Sequence, residues 1–190
     1  MNSANFSESL KGHFLIAMPH MQGSGFAHTV TYMCEHDEQG AMGLVINRLT
    51  GIALGEILER LNIPAHSDSL KLAPIYAGGP VQPDHGFILH SGTRSWDSTL
   101  PLNDRISLTT SKDILAAIAD DDGPEDCLVA LGYAGWGAGQ LEQELADNSW
   151  INAPADLDII FNVPCEERLD AAAALLGVDL SRIGPGAGHA

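Results

Sequence analysis

The chain predicts an α+β fold: a single domain whose bent, mixed and mostly antiparallel sheet is flanked by about four helices. Three observations lead there. β-type patterns paired through turn residues alternate with helical patterns, but without the regular strand-helix-strand rhythm of a doubly wound sheet. At 190 residues and 45% hydrophobic content, the chain is long and apolar enough for one domain with a substantial core. No internal repeat or interdomain linker divides it, and residues 1–9 and 184–190 read as loose tails.

Gly12 to Met18 (GHFLIAM) reads as a first strand, closed by Pro19 and a loose MQGSG loop. Between His28 and His36 the residues His28, Val30, Tyr32, Cys34 and His36 share one face, with Thr29, Thr31 and Glu35 on the other. That alternation predicts a half-buried strand. The turn residues of DEQG, Asp37 to Gly40, then lead into AMGLVINR, Ala41 to Arg48, and complete a β-hairpin. Leu54, Ile57, Leu58 and Leu61 follow helical spacing until Pro64 ends it, and a loop follows. Ile75–Ala77 and Gly86–His90 look like strands separated by a rigid, irregular GGPVQPD turn.

Ile106–Thr109 reads as another short strand. Ser111 stands as the N-cap of KDILAAIA, with Asp113 in the first turn, where negative charge suits the helix dipole. The acidic run DDDGPED, Asp120 to Asp126, reads as a solvated helix exit; its adjacent aspartates lack the alternation of a calcium loop. CLVAL from Cys127 suits a buried strand, and GYAGWGAG from Gly132 reads as a glycine-rich turn into a helix over Gln140 to Leu145. Ile159–Phe161 reads as a last strand. Pro164 opens a final helix through Leu176, stopped at Gly177.

Charge and cysteines narrow the function. Nine Lys and Arg stand against 25 Asp and Glu, a formal charge of −16, and the basic residues are scattered, so direct nucleic-acid binding is not expected. Cys34, Cys127 and Cys165 form no C-x-x-C pair, which argues against a disulfide framework and fits a reducing cytoplasm. No membrane span is expected, since the longest uncharged stretch, Cys127 to Leu141, is too short and too rich in glycine.

The eight histidines show no H-E-x-x-H and no i, i+4 helical pair, so no metal site and no cofactor is assigned. Ser24 lacks the G-x-S-x-G elbow, and no catalytic residue is assigned either. The glycine-rich turn is the best candidate for a site. Gly135, Gly137 and Gly139 match neither the Walker nor the dinucleotide pattern, but with Gln140 and Glu142 behind them they could border a polar cleft. A cation such as Arg48 would have to balance Glu142 there. Trp136 is either a core plug or an exposed anchor for a partner. Close packing and ligand binding both account for these glycines.

The segments LKGHFLIAMPHM (Leu10 to Met21), HTVTYMCEHDEQGAMGLVINR (His28 to Arg48), YAGGPVQPDHGFILH (Tyr76 to His90), LTTSKDILAAIA (Leu108 to Ala119) and ALGYAGWGAGQLEQEL (Ala130 to Leu145) together resemble the AlgH/YqgE family. The likeness spans nearly the whole chain. It implies an α+β fold with a bent mixed sheet and brings a transcriptional-regulator label without an established biochemical activity. Its motif positions here are Pro19 and His20, Glu35 and His36, Gly43, Asn47 and Arg48, Gly78 to Val81, Gly86, and Gly132 to Glu142. The MQGSGF segment departs from the shorter acidic or proline-containing turn common in that family.

Two readings of function follow. The first is a non-catalytic regulatory or protein-interaction module with an unknown protein partner, acting on transcription indirectly. The second is a small-molecule or nucleotide-binding protein, or an enzyme, using the turn 132–142. For either, the candidate ligand or partner site is Asn47, Arg48, Gly78, Gly79, Gly135, Trp136, Gly137, Gly139, Gln140 and Glu142. Convergence of these side chains on one concave pocket would favour the second.

Overall fold

The structure, a computed structural model, describes residues 8–21 and 24–183. The tail segments 1–7 and 184–190, and Gln22 and Gly23 of the MQGSG loop, lie outside the described residues. Ser9 is engaged: its hydroxyl donates to the His36 carbonyl at 2.9 Å. The fold is α+β, and the chain forms two compact units. The first takes the chain up to Asn47 and from Ala134 onward; the second is Arg48–Tyr133.

In the first unit the strands β1 (His13–Ala17), β2 (Val30–Asp37) and β3 (Gly40–Val45) form an antiparallel meander. The end of β9 (Cys127–Gly137) pairs with β3, and β10 (Trp150–Pro154) pairs with β1, giving the order β10-β1-β2-β3-β9. The expected hairpin is present, but its faces differ from the alternation read in the sequence. Thr29, Val30, Thr31, Tyr32, Met33 and Cys34 are all buried, and His28 is exposed with a left-handed φ of 58°. Layers packed on both sides of the sheet exclude water from the Thr31 side as fully as from the Val30 side.

A β-bulge supplies the second correction. The register slips between Met33 and Glu35, so the face presented by β2 changes at Cys34. Tyr32 meets Phe14 edge-on, whereas Met33 joins Leu15, Trp136, Leu141 and Trp150 in the opposite cluster. Beyond the bulge, His36 lies opposite Ala41, which lies opposite Trp136. His36 therefore points to the Met33 side, away from the face of Tyr32.

That cluster is covered by α4 (Gln140–Ala146), whose Leu141 is buried in it. On the chain's last stretch the expected strand at Ile159–Phe161 is instead the helix α5 (Leu157–Phe161). Asp156 caps it by accepting the Asp158 N–H, and Ile159 and Ile160 are buried one after the other. Pro164 and a 3₁₀ turn lead into α6 (Arg168–Ala174). Arg168, 5% exposed, donates to the Val163 carbonyl at 2.9 Å and the Ile46 carbonyl at 2.6 Å, so its charge is buried among backbone oxygens.

In the second unit β4 (Leu49–Ala53) pairs with β5 (Pro74–Ala77), which runs parallel to β9 and makes the sheet mixed. β6 (Val81–Ser91), β8 (Ile106–Thr109) and β7 (Thr99–Pro101) continue antiparallel from the other side of β9. The irregular turn expected over GGPVQPD shrinks to Gly78–Pro80, because β6 already starts at Val81 and absorbs the irregularity as a register shift. The helices α1 (Leu54–Arg60) and α3 (Asp113–Ala119) bury Leu54, Leu58, Ile114 and Ile118 against Ile75, Ile88 and Val129. A one-turn helix, α2 (Asp68–Lys71), capped by Ser67, stands where the sequence read as loop. Lys112, one residue after the expected cap, occupies the N-cap position of α3; Ser111 binds Asp113 and accepts the Ser98 N–H at 3.0 Å. No helix among the described residues is long and apolar enough to cross a membrane.

Candidate functional site

The glycine-rich run is a strand where the sequence predicted a turn. β9 continues through Gly132–Gly137, and the break comes only at Ala138 and Gly139, with φ of 75° at Gly139 just before α4. Gly132 serves close approach of backbones, whereas Gly139 has open space around it. Gly132 has a φ of 74°, and a Cβ there would lie 2.2 Å from the Gly79 carbonyl oxygen. Beside it, Gly78 donates to the Leu131 carbonyl at 2.8 Å. Gly78, Gly79 and Gly132 thus belong to one strand crossing in the second unit. Gly135, Gly137 and Gly139 are exposed in the first.

Asn47 is committed to structure as well. Its side-chain oxygen accepts the Val30 N–H and its amide donates to the His28 carbonyl, both at 2.9 Å, so it fastens the entrance to β2. Arg48 opens the second unit, and its carbonyl accepts the Ala77 N–H at 2.9 Å. Trp136 is 6% exposed and stacks on Phe26, which makes it a core residue and not a surface anchor. Gln140 accepts the Gly137 N–H at 3.0 Å and passes a hydrogen bond to Glu144 at 3.0 Å.

Two carboxylates of α4 organise this face. Glu144 accepts the indole N–H of Trp136 at 2.9 Å and of Trp150 at 2.8 Å, so one side chain satisfies both buried tryptophans. Glu142 meets His36 at 2.7 Å. The Leu10 N–H donates to His36 Nδ1 at 2.9 Å, which fixes Nδ1 as acceptor and leaves Nε2–H to donate to Glu142. Glu142 is one of the residues the sequence predicts for the site. Its partner His36 was a family motif position without a role, and the bulge that turns His36 toward α4 leaves no local signal.

Glu142 stands on the rim of an open groove of about 770 Å³ in the first unit. Leu10, Leu145, Trp150, Ile151 and Leu176 give it an apolar lining, and Glu8 brings a second carboxylate. Asn152 is the remaining lining residue, so no lysine or arginine faces the groove among the described residues. Of the ten residues expected in the site, Glu142 alone reaches it. The surface is suited to bury apolar side chains while attracting positive charge.

One constellation resembles a nucleophile and its base. In the second unit the Thr109 hydroxyl lies 2.8 Å from His90 Nε2 and 2.7 Å from the Thr99 hydroxyl, while His90 Nδ1 donates to the Ser91 carbonyl at 3.2 Å. Trp96 closes over the His90 ring edge-on at 5.1 Å. His90 and Thr109 are both fully buried, so no substrate reaches the hydroxyl, and burial pushes the imidazole pKa below its ordinary value. This chain of hydrogen bonds satisfies a core histidine. The Cys34 thiol is similarly inert: burial raises its pKa, with Glu35 adding to the effect, and suppresses the thiolate.

Comparison with known proteins identifies the family. An AlgH-like family model matches residues 14–181. The AlgH protein of Pseudomonas aeruginosa is 57% identical over 182 residues, covering 95% of this chain and 96% of its own length. A relative in Thioalkalivibrio sulfidiphilus is 54% identical over 184 residues, with 97% and 98% covered. The solution structure of the P. aeruginosa AlgH protein superposes with a TM-score of 0.79 at 55% identity, covering 100% of this chain and 99% of that one. A Corynebacterium diphtheriae crystal structure shares the fold at a TM-score of 0.67 and 22% identity, with 86% of this chain and 85% of that one covered. The chain belongs to the AlgH-like family.

Proposed function

We propose that this chain is a non-catalytic interaction module that works by capturing a protein partner in the groove beside Glu142. The observation that carries the reading is the groove itself, where apolar side chains from the Leu10 segment, α4, β10 and Leu176, just beyond α6, surround two carboxylates. Such a surface buries side chains and selects their charge. The alternative is a small-molecule, nucleotide-binding or enzymatic site at residues 132–142; of the glycines there, Gly132 is taken up by its contact with Gly79. An indirect role in transcription follows the same reading, because a chain of formal charge −16 repels nucleic acid. A cytoplasmic setting is supported by three free cysteines, Cys34, Cys127 and Cys165.

The test compares proteins captured by the wild type with those captured by Leu176→Asp and by Leu100→Asp. Leu176 lines the groove and is 42% exposed; Leu100, 43% exposed, is a control in the second unit. Quantitative mass spectrometry should find proteins lost with Leu176→Asp and retained with Leu100→Asp. Identical profiles for all three would dismiss the groove as a docking surface.

A further inference from the structure

Resting on the interaction reading, we infer that the partner segment is an extended, lysine- or arginine-bearing peptide that adds a strand to the free edge of β10. β10 is the end strand of its order, paired with β1 on one side and with no strand among the described residues on the other. The hydrogen-bond parity is fixed at both ends of the ladder: Met18 N–H donates to the Ser149 carbonyl, and Ala155 N–H to the Gly12 carbonyl. Between them Ile151 and Ala153, opposite Ile16 and Phe14, take the inward-bonding positions. Trp150 and Asn152 therefore turn their N–H and C=O groups outward.

The groove lies along that edge. It is lined by Trp150, Ile151 and Asn152 in succession. Consecutive strand residues point to opposite faces, so a groove touching all three follows the strand's outer margin and not one face of the sheet. Outward backbone groups beside apolar side chains are what an added strand uses: main-chain hydrogen bonds for attachment and alternate side chains for selectivity. Pro154 supplies no N–H, and β10 has five residues, so the added strand is short. With Glu142 and Glu8 on the groove and no facing cation among the described residues, a basic side chain is selected and an acidic one rejected.

The experiment selects binders from a displayed library of random dodecapeptides and resynthesises them. Peptides with alternating apolar residues and at least one Lys or Arg are expected, and replacing that residue by Glu should weaken binding about tenfold or more. N-methylation at every second residue should abolish binding in one parity and spare it in the other. Amide exchange followed by NMR should show Trp150 and Asn152 protected only in the complex, with Ile151 and Ala153 protected throughout. Glu142→Gln keeps an acceptor for His36 and should lower affinity without lowering stability. Peptides with helical spacing, insensitivity to N-methylation in both parities, or a selection that yields no binder would overturn strand addition. Pairing of β10 with a second copy of this chain, seen as a dimer by sedimentation that excludes the peptide, would overturn it too. The broader reading is judged separately: it survives any of these results if Leu176→Asp still removes captured proteins, and falls if it does not.

Discussion

Replacing Glu144 by alanine would remove the acceptor shared by two buried indoles. Trp136 and Trp150 are 6% and 3% exposed, and their N–H groups reach the same Glu144 oxygen at 2.9 and 2.8 Å. A buried donor left without a partner costs about 1–3 kcal/mol. Glu144 is itself half-buried, so water replaces part of what is lost, and the expected destabilisation is about 2–4 kcal/mol for the two donors together. At about 2–4 °C per kcal/mol for a chain of this size, the melting temperature should fall by about 4–16 °C. Glu144→Gln keeps one oxygen, which can go on accepting both indoles, and should lose clearly less than Glu144→Ala. Urea melts followed by tryptophan fluorescence measure both variants. A Glu144→Ala protein within about 0.5 kcal/mol of wild type would show that the shared carboxylate is not what holds the tryptophans, and the account of this face would fail.

Thr31→Val should be neutral or stabilising, because Thr31 Oγ1 is buried without a hydrogen-bond partner among the described residues; a loss above about 1 kcal/mol in urea melts would contradict this. Thr31→Asp, at the same fully buried position, should cost several kcal/mol. His90 is held neutral by burial, so its folded-state pKa lies below the ordinary 6.5 and the unfolded chain binds the extra proton as the medium acidifies. Its contribution is intact above pH 6.5 and declines as the pH falls toward the lower folded value, so urea midpoints of wild type should drop from pH 7 to 5 more steeply than those of His90→Asn; parallel slopes would refute it. Gly132→Ala should unfold or strongly destabilise the protein, since its Cβ would lie 2.2 Å from the Gly79 oxygen, whereas Gly139→Ala, with open space around it, should lose only about 1 kcal/mol.

The sequence carried the class of the fold well, because period-two and period-3.6 patterns are local. Ile106–Thr109 appears as the strand β8 with the same ends, and α1 and α4 begin where their spacing begins. Ile159–Phe161 failed because three consecutive apolar residues suit a buried helix turn as well as a strand; Asp156, the cap, was the overlooked signal. The glycines misled for another reason. Gly132 is required by the carbonyl of Gly79, more than 50 residues away, and crowding between distant segments leaves the same local mark as a turn. Of the residues lining the candidate groove, Glu142 is the one singled out by its place after the glycines. His36 needed the bulge at Cys34, and Trp150 needed an edge strand whose WINAP sequence gives little alternation to read.

The placing of the tryptophans has a spectroscopic consequence. Trp136 and Trp150 share one carboxylate in the first unit, and Trp96 lies in the second, under the Arg94 guanidinium at 4.9 Å. The tryptophan emission of a Trp96→Phe protein therefore comes only from the first unit, and its difference from wild type isolates the second. The two signals ask directly whether the two units melt in one transition. Nature has supplied the dyes, with no label to attach.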